Sequence, residues 1–335
     1  MTIAGTVVVA DDTPANIDLL RGLLLRDGYV VHVATNGEEA LCLTQELLPD
    51  LVVSDVMMPR MNGFDLCRRL KADSQAGSIP VVLVTSLAER EDRIEGLNAG
   101  ADDFLTKPVN AHELRARVRS LVRLKRSRDD LAGAEALILG LGRSVEARNP
   151  AATGHCERMA AYASAFGLYL GLPDKDVTAL ERAGHLHDIG MIAVPEALLL
   201  KQAPLTSDER LVLAQHPVRG ASACEGVQMF QLVTPIVRWH HERLDGSGYP
   251  DSLRGDAIPA LAQIVGIIDT YDALTTARPW RHAVSPGAAC VELQREVQCG
   301  WRSERLVSAF VALAQSGALT HLTPERPAPL EGACP

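Results

Sequence analysis

The first 124 residues of the chain alternate between two patterns of apolar positions. Short runs rich in β-branched residues are separated by amphipathic segments in which apolar residues recur at helical spacing. The short runs are residues 6–10, 29–34, 51–55, 80–86 and 103–107. Alternation of this kind predicts a parallel sheet with helices on both faces. We therefore expect residues 1–124 to form a doubly wound α/β domain around a five-stranded parallel sheet.

The strand pattern disappears from about residue 135 onward. The segments with helical spacing there are residues 155–171, 176–190, 207–224 and 261–276. Pro and Asp residues before several of them are typical helix starts. Residues 149–321 are therefore expected to form an all-α domain, and the Pro-rich residues 322–335 are expected to be a disordered tail.

Few helix breakers interrupt the junction, so residues 125–148 are predicted to be a helical linker. Gly133, Gly140 and Gly142 weaken this helical pattern, and we expect a bend or a second helix rather than one rigid rod. Seven Arg and Lys side chains crowd residues 115–128. Because no helix-turn-helix pattern follows, a solvated helix face explains this basic run better than DNA binding does.

Composition and charge narrow the possible functions. The chain has 335 residues, 47% hydrophobic and 22% charged, which suits two globular domains. Its net charge of −9 argues against binding nucleic acid through bulk electrostatics. The seven cysteines form no C-x-x-C pair, the N-terminus lacks a basic signal region, and no apolar run reaches the roughly 18 residues of a membrane helix. We expect a cytoplasmic protein that neither binds DNA nor inserts into a membrane.

Polar residues stand at successive strand ends of the predicted sheet. Asp11 and Asp12 follow the first strand, Asp55 ends the third, Thr85 the fourth and Lys107 the fifth. Each alone has a plain structural interpretation, since an Asp after a strand is usually a cap. Together they should meet at one sheet edge, where three carboxylates repel one another unless a cation such as Mg²⁺ joins them. A lysine and a hydroxyl opposite would complete a cradle for a phosphoryl group.

Histidines and aspartates recur through the predicted helical domain. The series is His155, His187 with Asp188, His216, His240 with His241, and Asp269. The intervals of 24 to 32 residues are about one helix plus its connection, so each member can project from a different helix into one centre. A lone buried histidine is more often a satisfied core residue than a ligand. His185, about 200° around the helix from His187, should face elsewhere, and His282 is better explained as a surface residue.

The types of side chain in this series favour a pair of transition metals. Imidazoles with two carboxylates suit Fe, Mn, Ni or Zn, whereas Mg or Ca would need more oxygen ligands. Six or seven ligands are too many for one tetrahedral ion and suit two ions bridged by a carboxylate. Asp188 is the natural bridge, being adjacent to one ligand and central in the series. A metal pair of this kind is typical of phosphoester hydrolysis.

The first half resembles the receiver domain of two-component response regulators, through the stretches VVVADD, SDVMMPRMNGFDL, VVLVTS and FLTKP. The resemblance covers residues 5–124 and implies that Asp55 accepts phosphate from a histidine kinase. The resemblance also implies that a Mg²⁺ ion binds to Asp11, Asp12, Asp55 and the carbonyl of Met57. Three further residues, Thr85, Lys107 and Phe104, are expected to respond when the phosphoryl group is attached.

The second half resembles the HD-GYP branch of the HD phosphohydrolases, through stretches such as HLHDIG, HHERLDGSGYP and the residues 258–281. That family hydrolyses cyclic di-GMP to the linear dinucleotide pGpG or to GMP. The resemblance implies two metal ions, one on His155, His187, Asp188 and Asp269 and a second on Asp188, His216, His240 and His241. It also implies that Arg278 and Arg281 contact the substrate phosphates. The loop of Gly248, Tyr249 and Pro250 is expected to shape the site and to contact partner proteins. Fe, Mn or Ni are the expected ions, with Zn as an alternative.

Two positions depart from the family pattern. Met191 stands where the family usually has a lysine near the scissile phosphate, and a thioether can neither neutralise charge nor donate to an oxyanion. Loss of one such contact commonly costs about 100- to 1,000-fold in rate, so we expect slowed rather than abolished hydrolysis. Ala151 stands where some members have a carboxylate for a third metal, so we expect two metals only.

These observations support two functions of different classes. The first is a response regulator, expected to be a homodimer, whose phosphorylation on Asp55 controls hydrolysis of cyclic di-GMP. The second is a catalytically weak signalling module that binds nucleotide or a diguanylate cyclase partner, which Met191 supports. An HD hydrolase for other nucleotides is disfavoured by the G-Y-P segment and the two arginines. The direction of control by phosphorylation stays open.

Overall fold

A computed structural model describes residues 4–86, 90–201, 203–277 and 281–322. The chain divides into two compact units, Met1–Ala134 and Glu135–Pro335. Among the described residues, no helix combines the length and the apolar character that crossing a membrane requires. Apart from Leu322, the predicted tail lies outside the described residues, as does Arg278.

The first unit contains the predicted five-stranded parallel sheet. Its strands are β1 (Gly5–Ala10), β2 (Tyr29–Ala34), β3 (Leu51–Asp55), β4 (Val81–Thr85) and β5 (Asp103–Thr106), in the order β2-β1-β3-β4-β5. Both β3 and β4 are buried along their whole length, as expected for strands covered by helices on both faces. The fold class predicted for this half is confirmed.

Five helices follow these strands in turn. They are α1 (Pro14–Arg26), α2 (Gly37–Leu47), α3 (Gly63–Ala72), α4 (Arg90–Asn98) and α5 (Ala111–Glu146). Asn36 and Asn62 cap α2 and α3 by accepting hydrogen bonds from the third helical N–H group. Asn62 lies seven residues after Asp55, and by capping α3 it fixes where the loop beside the carboxyl end of β3 ends.

The second helix offered as one alternative for the linker is wrong, because a single helix, α5, runs from Ala111 to Glu146. One glycine costs a helix only about 1 kcal/mol. Gly142 has a packing role instead: a Cβ there would lie 2.2 Å from the carbonyl oxygen of His185. Its small size therefore lets the end of α5 approach the segment that carries His187.

The second unit is all-α, as predicted. Its helices are α6 (His155–Tyr169), α7 (Asp174–Leu186), α8 (Glu196–Leu199), α9 (Ser207–Leu213), α10 (His216–Cys224), α11 (Val233–Trp239), α12 (Ala260–Thr275), α13 (Pro286–Gln298) and α14 (Glu304–Gln315). An edge-to-face aromatic cluster of Tyr162, Phe166, Tyr271 and Phe310 joins α6, α12 and α14 in the core. This packing fixes two of the helices that carry members of the histidine–aspartate series.

A close contact also joins the turn after Asp188 to the start of α10. A Cβ on Gly190 would lie 1.9 Å from the carbonyl oxygen of His216, so only a glycine allows this approach. The contact brings Asp188 and His216 side by side, although they are separated by two intervening helices in the sequence.

Candidate functional site

The strand ends of the first unit form an acidic pocket. Asp11, Asp12 and Asp55 each offer a carboxylate oxygen within 4.8 Å of the others. The Nζ atom of Lys107 lies 3.0 Å from Asp11 Oδ2 and 2.8 Å from Asp55 Oδ2. Thr85 ends β4 and is buried. These five residues therefore meet at one edge of the sheet.

Burial raises the pKa of the Asp55 carboxyl above its ordinary value, and the hydrogen bond from Lys107 offsets this only in part. The negative charge of Asp11 acts in the same direction as burial. Concentrated negative charge of this kind is relieved by a hard divalent cation with oxygen ligands.

Met57 is exposed two residues beyond β3. Phe104 lies on β5, and its ring packs against Gly96 of α4. The contact is so close that a Cβ on Gly96 would lie 2.4 Å from the ring.

The histidine–aspartate series of the second unit converges into two groups. The groups are His155 with His187 and Asp188, and Asp188 with His216, His240 and His241. Within each group the potential ligand atoms lie within 4.8 Å of one another. Asp188 belongs to both, so the structure places it between the two groups, as expected of a bridging carboxylate.

The two oxygens of Asp188 face different imidazoles. Oδ2 lies 3.6 Å from His187 Nε2, whereas Oδ1 lies 3.1 Å from His216 Nε2 and 4.0 Å from His240 Nε2. Burial opposes ionisation, but the neighbouring His187 and His216 outweigh it and hold the pKa of Asp188 well below its ordinary value. The side chain is 33% exposed, which leaves its oxygens open to the adjoining cavity.

Three of the imidazoles are oriented by backbone carbonyls three residues earlier. The contacts are His187 Nδ1 with the Gly184 oxygen (3.1 Å), His216 Nδ1 with the Leu213 oxygen (2.8 Å) and His240 Nδ1 with the Val237 oxygen (2.9 Å). Because a carbonyl can only accept, Nδ1 carries the proton in each neutral ring and Nε2 keeps its lone pair. Metal-binding histidines are typically oriented in this way.

Two of the inward-facing nitrogens are poorly satisfied by the protein. Nε2 of His240 is buried without a hydrogen-bond partner among the described residues, and Nε2 of His216 makes no well-aligned hydrogen bond although Asp188 Oδ1 lies 3.1 Å away. Burial, reinforced by neighbouring imidazoles, lowers the pKa of His240 and of His241 well below the ordinary value, so both rings are neutral. Unpaired buried acceptors are costly, and a divalent ion would satisfy them.

His155 completes the other group. Its Nε2 lies 3.1 Å from His187 Nε2, and its Nδ1 lies 2.7 Å from Asp272 Oδ2. Burial acts to lower the pKa of His155, but the hydrogen bond and charge of Asp272 outweigh it and raise the pKa to about 9. A metal that binds Nε2 therefore displaces a proton.

Asp272 and Arg158 are functional candidates that sequence reasoning missed. Asp272 is buried and accepts hydrogen bonds from His155 and from Arg158 Nε (2.6 Å) and Nη2 (3.0 Å). These bonds outweigh burial and lower the pKa of Asp272 to about 2. The spacing of Asp269 and Asp272, three residues apart on α12, was the available signal, since it puts both carboxylates on one helix face.

The remaining predicted residues are spread around these groups. Asp269 Oδ1 lies 3.7 Å from His155 Nε2, beside the three-residue group rather than within it. His185 belongs to neither group formed by the described residues, and His282 is exposed. Arg281 is exposed and donates to the carbonyl oxygen of Ala273.

A cavity of about 700 Å³ opens beside both groups. Its lining includes the carboxylates of Asp188 and Asp269 and the side chain of Met191. The lining also includes the aliphatic residues Leu198, Leu199, Pro204, Leu205 and Leu213. Lys201 also lines the cavity, with Nζ 2.6 Å from Glu209 Oε2.

The loop of Gly248, Tyr249 and Pro250 contributes Tyr249 to the lining of this cavity. The Tyr249 ring lies 4.7 Å from that of His241, measured between centroids. Glu242, buried directly after His241, accepts the N–H groups of Asp251 (2.7 Å) and Leu253 (3.1 Å). The residue next to a potential ligand thus fixes the end of the loop.

Comparison with known proteins identifies both halves. Residues 7–119 match the response regulator receiver domain, and residues 141–301 match the HD domain. The chain is 34% identical to the cyclic di-GMP phosphodiesterase response regulator RpfG of Xanthomonas campestris, covering 86% of this chain and 82% of that protein. The chain belongs to this family of receiver–HD response regulators.

Other members of the family show the same extent of similarity. A probable cyclic di-GMP phosphodiesterase of Vibrio cholerae is 31% identical, covering 84% of this chain and 71% of that protein. A cyclic di-GMP phosphodiesterase of Thermotoga maritima is also 31% identical, covering 92% of this chain and 90% of that protein. The receiver of this response regulator implies phosphotransfer from a kinase, and its HD domain implies divalent metal binding, as predicted.

Removing the charge of Asp272 tests whether it orients His155. Asp272→Asn keeps the size of the side chain, and we expect the affinity of the His155–His187 group for Mn²⁺ to fall about 10- to 100-fold. Calorimetric titration of the metal-free protein measures this. Glu296→Gln is the matched control, because Glu296 is also buried and paired with an arginine, Arg302 (2.9 Å). Equal weakening in both variants would show general damage instead.

Proposed function

We propose that this response regulator is a phosphorylation-controlled phosphodiesterase that hydrolyses cyclic di-GMP to linear pGpG, to GMP, or to both. The observation that carries the proposal is the position of Asp188, which belongs to two groups of histidines and lines a cavity. The names of the Xanthomonas, Vibrio and Thermotoga relatives support the same substrate.

In this proposal the seven members of the series hold two divalent transition metals. His155, His187, Asp188 and Asp269 hold one ion, and Asp188, His216, His240 and His241 hold the other. The nitrogen-rich donor set favours Fe, Mn or Ni, with Zn as an alternative. When bound, such a pair polarises a phosphoryl oxygen and activates water for in-line attack. Asp188 would serve both ions, because it belongs to both groups of potential ligands, and this makes it the central catalytic residue of the proposal.

The cavity suits a dinucleotide in both size and lining. Its volume of about 700 Å³ is in the usual range for small-molecule sites. The residues around Asp188 would take the scissile phosphate, and aliphatic lining residues such as Leu198 and Leu205 would pack against a base. We assign the other phosphate contacts to Arg278 and Arg281, whose guanidinium groups suit phosphate oxygens. Gly248, Tyr249 and Pro250 would shape the entrance and offer a surface to partner proteins.

The receiver supplies the control in this proposal. Asp55 accepts phosphate from a histidine kinase, and Asp11, Asp12 and the carbonyl of Met57 complete a Mg²⁺ site. Thr85 and Lys107 contact the phosphoryl group, and Phe104 moves with Thr85. The support is the pocket geometry, in which Lys107 already bridges two of the carboxylates. We further propose a cytoplasmic homodimer.

One observation favours a second function. Met191 lines the cavity where a lysine would serve a phosphodiesterase better, and Lys201 is paired with Glu209. The second candidate is therefore a catalytically weak module that binds nucleotide or a diguanylate cyclase partner. In both cases the metal centre and the cavity are the same, and only the turnover differs.

The principal experiment incubates the full chain, loaded with Mn²⁺, with cyclic di-GMP and separates the products by chromatography. The wild type is expected to release linear pGpG or GMP. Asp188→Asn removes the shared negative charge and should abolish product formation while leaving the helical circular dichroism unchanged. Product formation at the same rate by both proteins would place hydrolysis outside this site, and no product from the wild type would favour the second candidate.

Replacing Met191 separates the two candidates. Met191→Lys adds a cation beside the scissile phosphate, and one such contact commonly changes rate about 100- to 1,000-fold. We expect kcat to rise by a factor in this range, with Met191→Leu as the matched apolar control at the wild-type rate. An unchanged kcat for Met191→Lys would show that the native site does not lack a cation.

Phosphorylation is tested in the full chain with acetyl phosphate and Mg²⁺, followed by phosphate-affinity electrophoresis. The wild type is expected to shift to the phosphorylated form, and Asp55→Asn should not shift because it lacks the acceptor oxygen. Asp65→Asn, at a half-buried position on α3 paired with Arg68, is the control and should shift normally. Chelating Mg²⁺ should prevent the shift in every variant, since the carboxylate pocket needs a cation to bind the phosphoryl group.

A further inference from the structure

Glu146, the last residue of α5, caps the helix that begins with His155. Its carboxylate accepts the N–H groups of Gly154 (2.5 Å), His155 (3.2 Å) and Cys156 (2.6 Å). These are among the first N–H groups of α6, which have no partner within that helix. Gly154, the N-cap residue, offers no side chain to satisfy them. A carboxylate from another helix therefore takes the place of the usual cap.

The position of this cap matters because it acts on a potential metal ligand. Glu146 fixes the main chain of His155, while Asp272 fixes its ring through Nδ1. A negative charge at the start of α6 is also favourable toward the helix dipole. His155 is thus held from two sides by two different carboxylates, one for its backbone and one for its imidazole.

Arg148, two residues after Glu146, holds a second ligand segment. Its Nη1 donates to the carbonyl oxygens of Met191 (2.9 Å) and Ile192 (3.0 Å), and its Nη2 donates to that of Val194 (2.9 Å). These oxygens belong to the end of a short 3₁₀ turn that begins directly after Asp188. The planar guanidinium can gather several oxygens in a fixed arrangement, which an ammonium group cannot do.

We propose that Glu146 and Arg148 are the positioning residues of the metal centre, acting through His155 and Asp188 respectively. The inference rests on the metal pair of the proposed function. It is supported by the contact of Gly142 with the carbonyl oxygen of His185, which ties the same end of α5 to the segment before His187. The last turn of α5 and the residues after it thus hold three of the ligand-bearing positions together.

The two residues have different expected effects, because their ligands have different roles. His155 belongs to one group only, so loss of the Glu146 charge should weaken one ion and leave the other at its original affinity. Asp188 belongs to both groups, so loss of Arg148 should weaken both ions. A residue with a merely structural role would lower the melting temperature without producing this pattern.

The experiment titrates the metal-free full chain with Mn²⁺, using calorimetry for affinity and electron paramagnetic resonance for the coupled signal of two neighbouring ions. The wild type should bind two ions and show the coupled signal. Glu146→Gln should lose the coupled signal and bind one ion at least about tenfold more weakly. Arg148→Gln should weaken both ions. Glu135→Gln, on the same helix and paired with Arg182, is the matched control and should behave as the wild type.

The outcomes distinguish a failure of the positioning roles from a failure of the proposed function. If the wild type binds no pair of ions, the proposed function fails. If the wild type binds a pair and both variants bind it equally well, the positioning roles alone are wrong. Equal weakening in Glu135→Gln would also overturn them. If Glu146→Gln does not fold, Glu146→Asp replaces it: its shorter side chain keeps the charge and should weaken the same single ion, and an unchanged coupled signal would contradict the inference.

Discussion

Buried imidazoles that converge on one shared carboxylate impose the main constraint on the second unit. Each ring must direct Nε2 inward, which is possible only if its Nδ1 has an acceptor on the opposite side. Backbone carbonyls satisfy this need for His187, His216 and His240, and Asp272 satisfies it for His155. Nε2 of His240 then makes no hydrogen bond within the described residues, and an unsatisfied buried nitrogen of this kind is costly unless a cation binds it.

The packing of the helices follows from this constraint. The turn after Asp188 approaches α10 so closely that Gly190 admits no side chain, and α5 meets the segment before His187 at Gly142. Close backbone approach of this kind costs nothing further in side-chain entropy and fixes the ligand segments relative to one another. The ring contact between Tyr162 and Tyr271 also packs together α6 and α12, the helices that carry His155 and Asp269.

Much of this architecture could be predicted from the sequence, because its signals are local. Apolar periodicity was sufficient for both fold classes, and the strand-end residues and the histidine series marked both sites. What could not be predicted depends on contacts between distant segments. Glu146 resembles any helix-terminal acid until α6 is placed beside it, and Gly142 resembles a helix breaker until His185 is seen next to it. Asp269 was expected in the group of His155, His187 and Asp188, but it lies beside that group, because its position depends on how α12 packs.

The hydrogen bonds from Nδ1 to the carbonyl three residues earlier have a consequence for divergence among relatives. The direction of these three imidazoles is determined within single turns of backbone, so it does not depend on the lengths of the connections between helices. The connection that contributes Lys201, Pro204 and Leu205 to the cavity can therefore gain or lose residues without turning an imidazole. The shape of the cavity lining can therefore diverge while these three imidazoles keep their orientation.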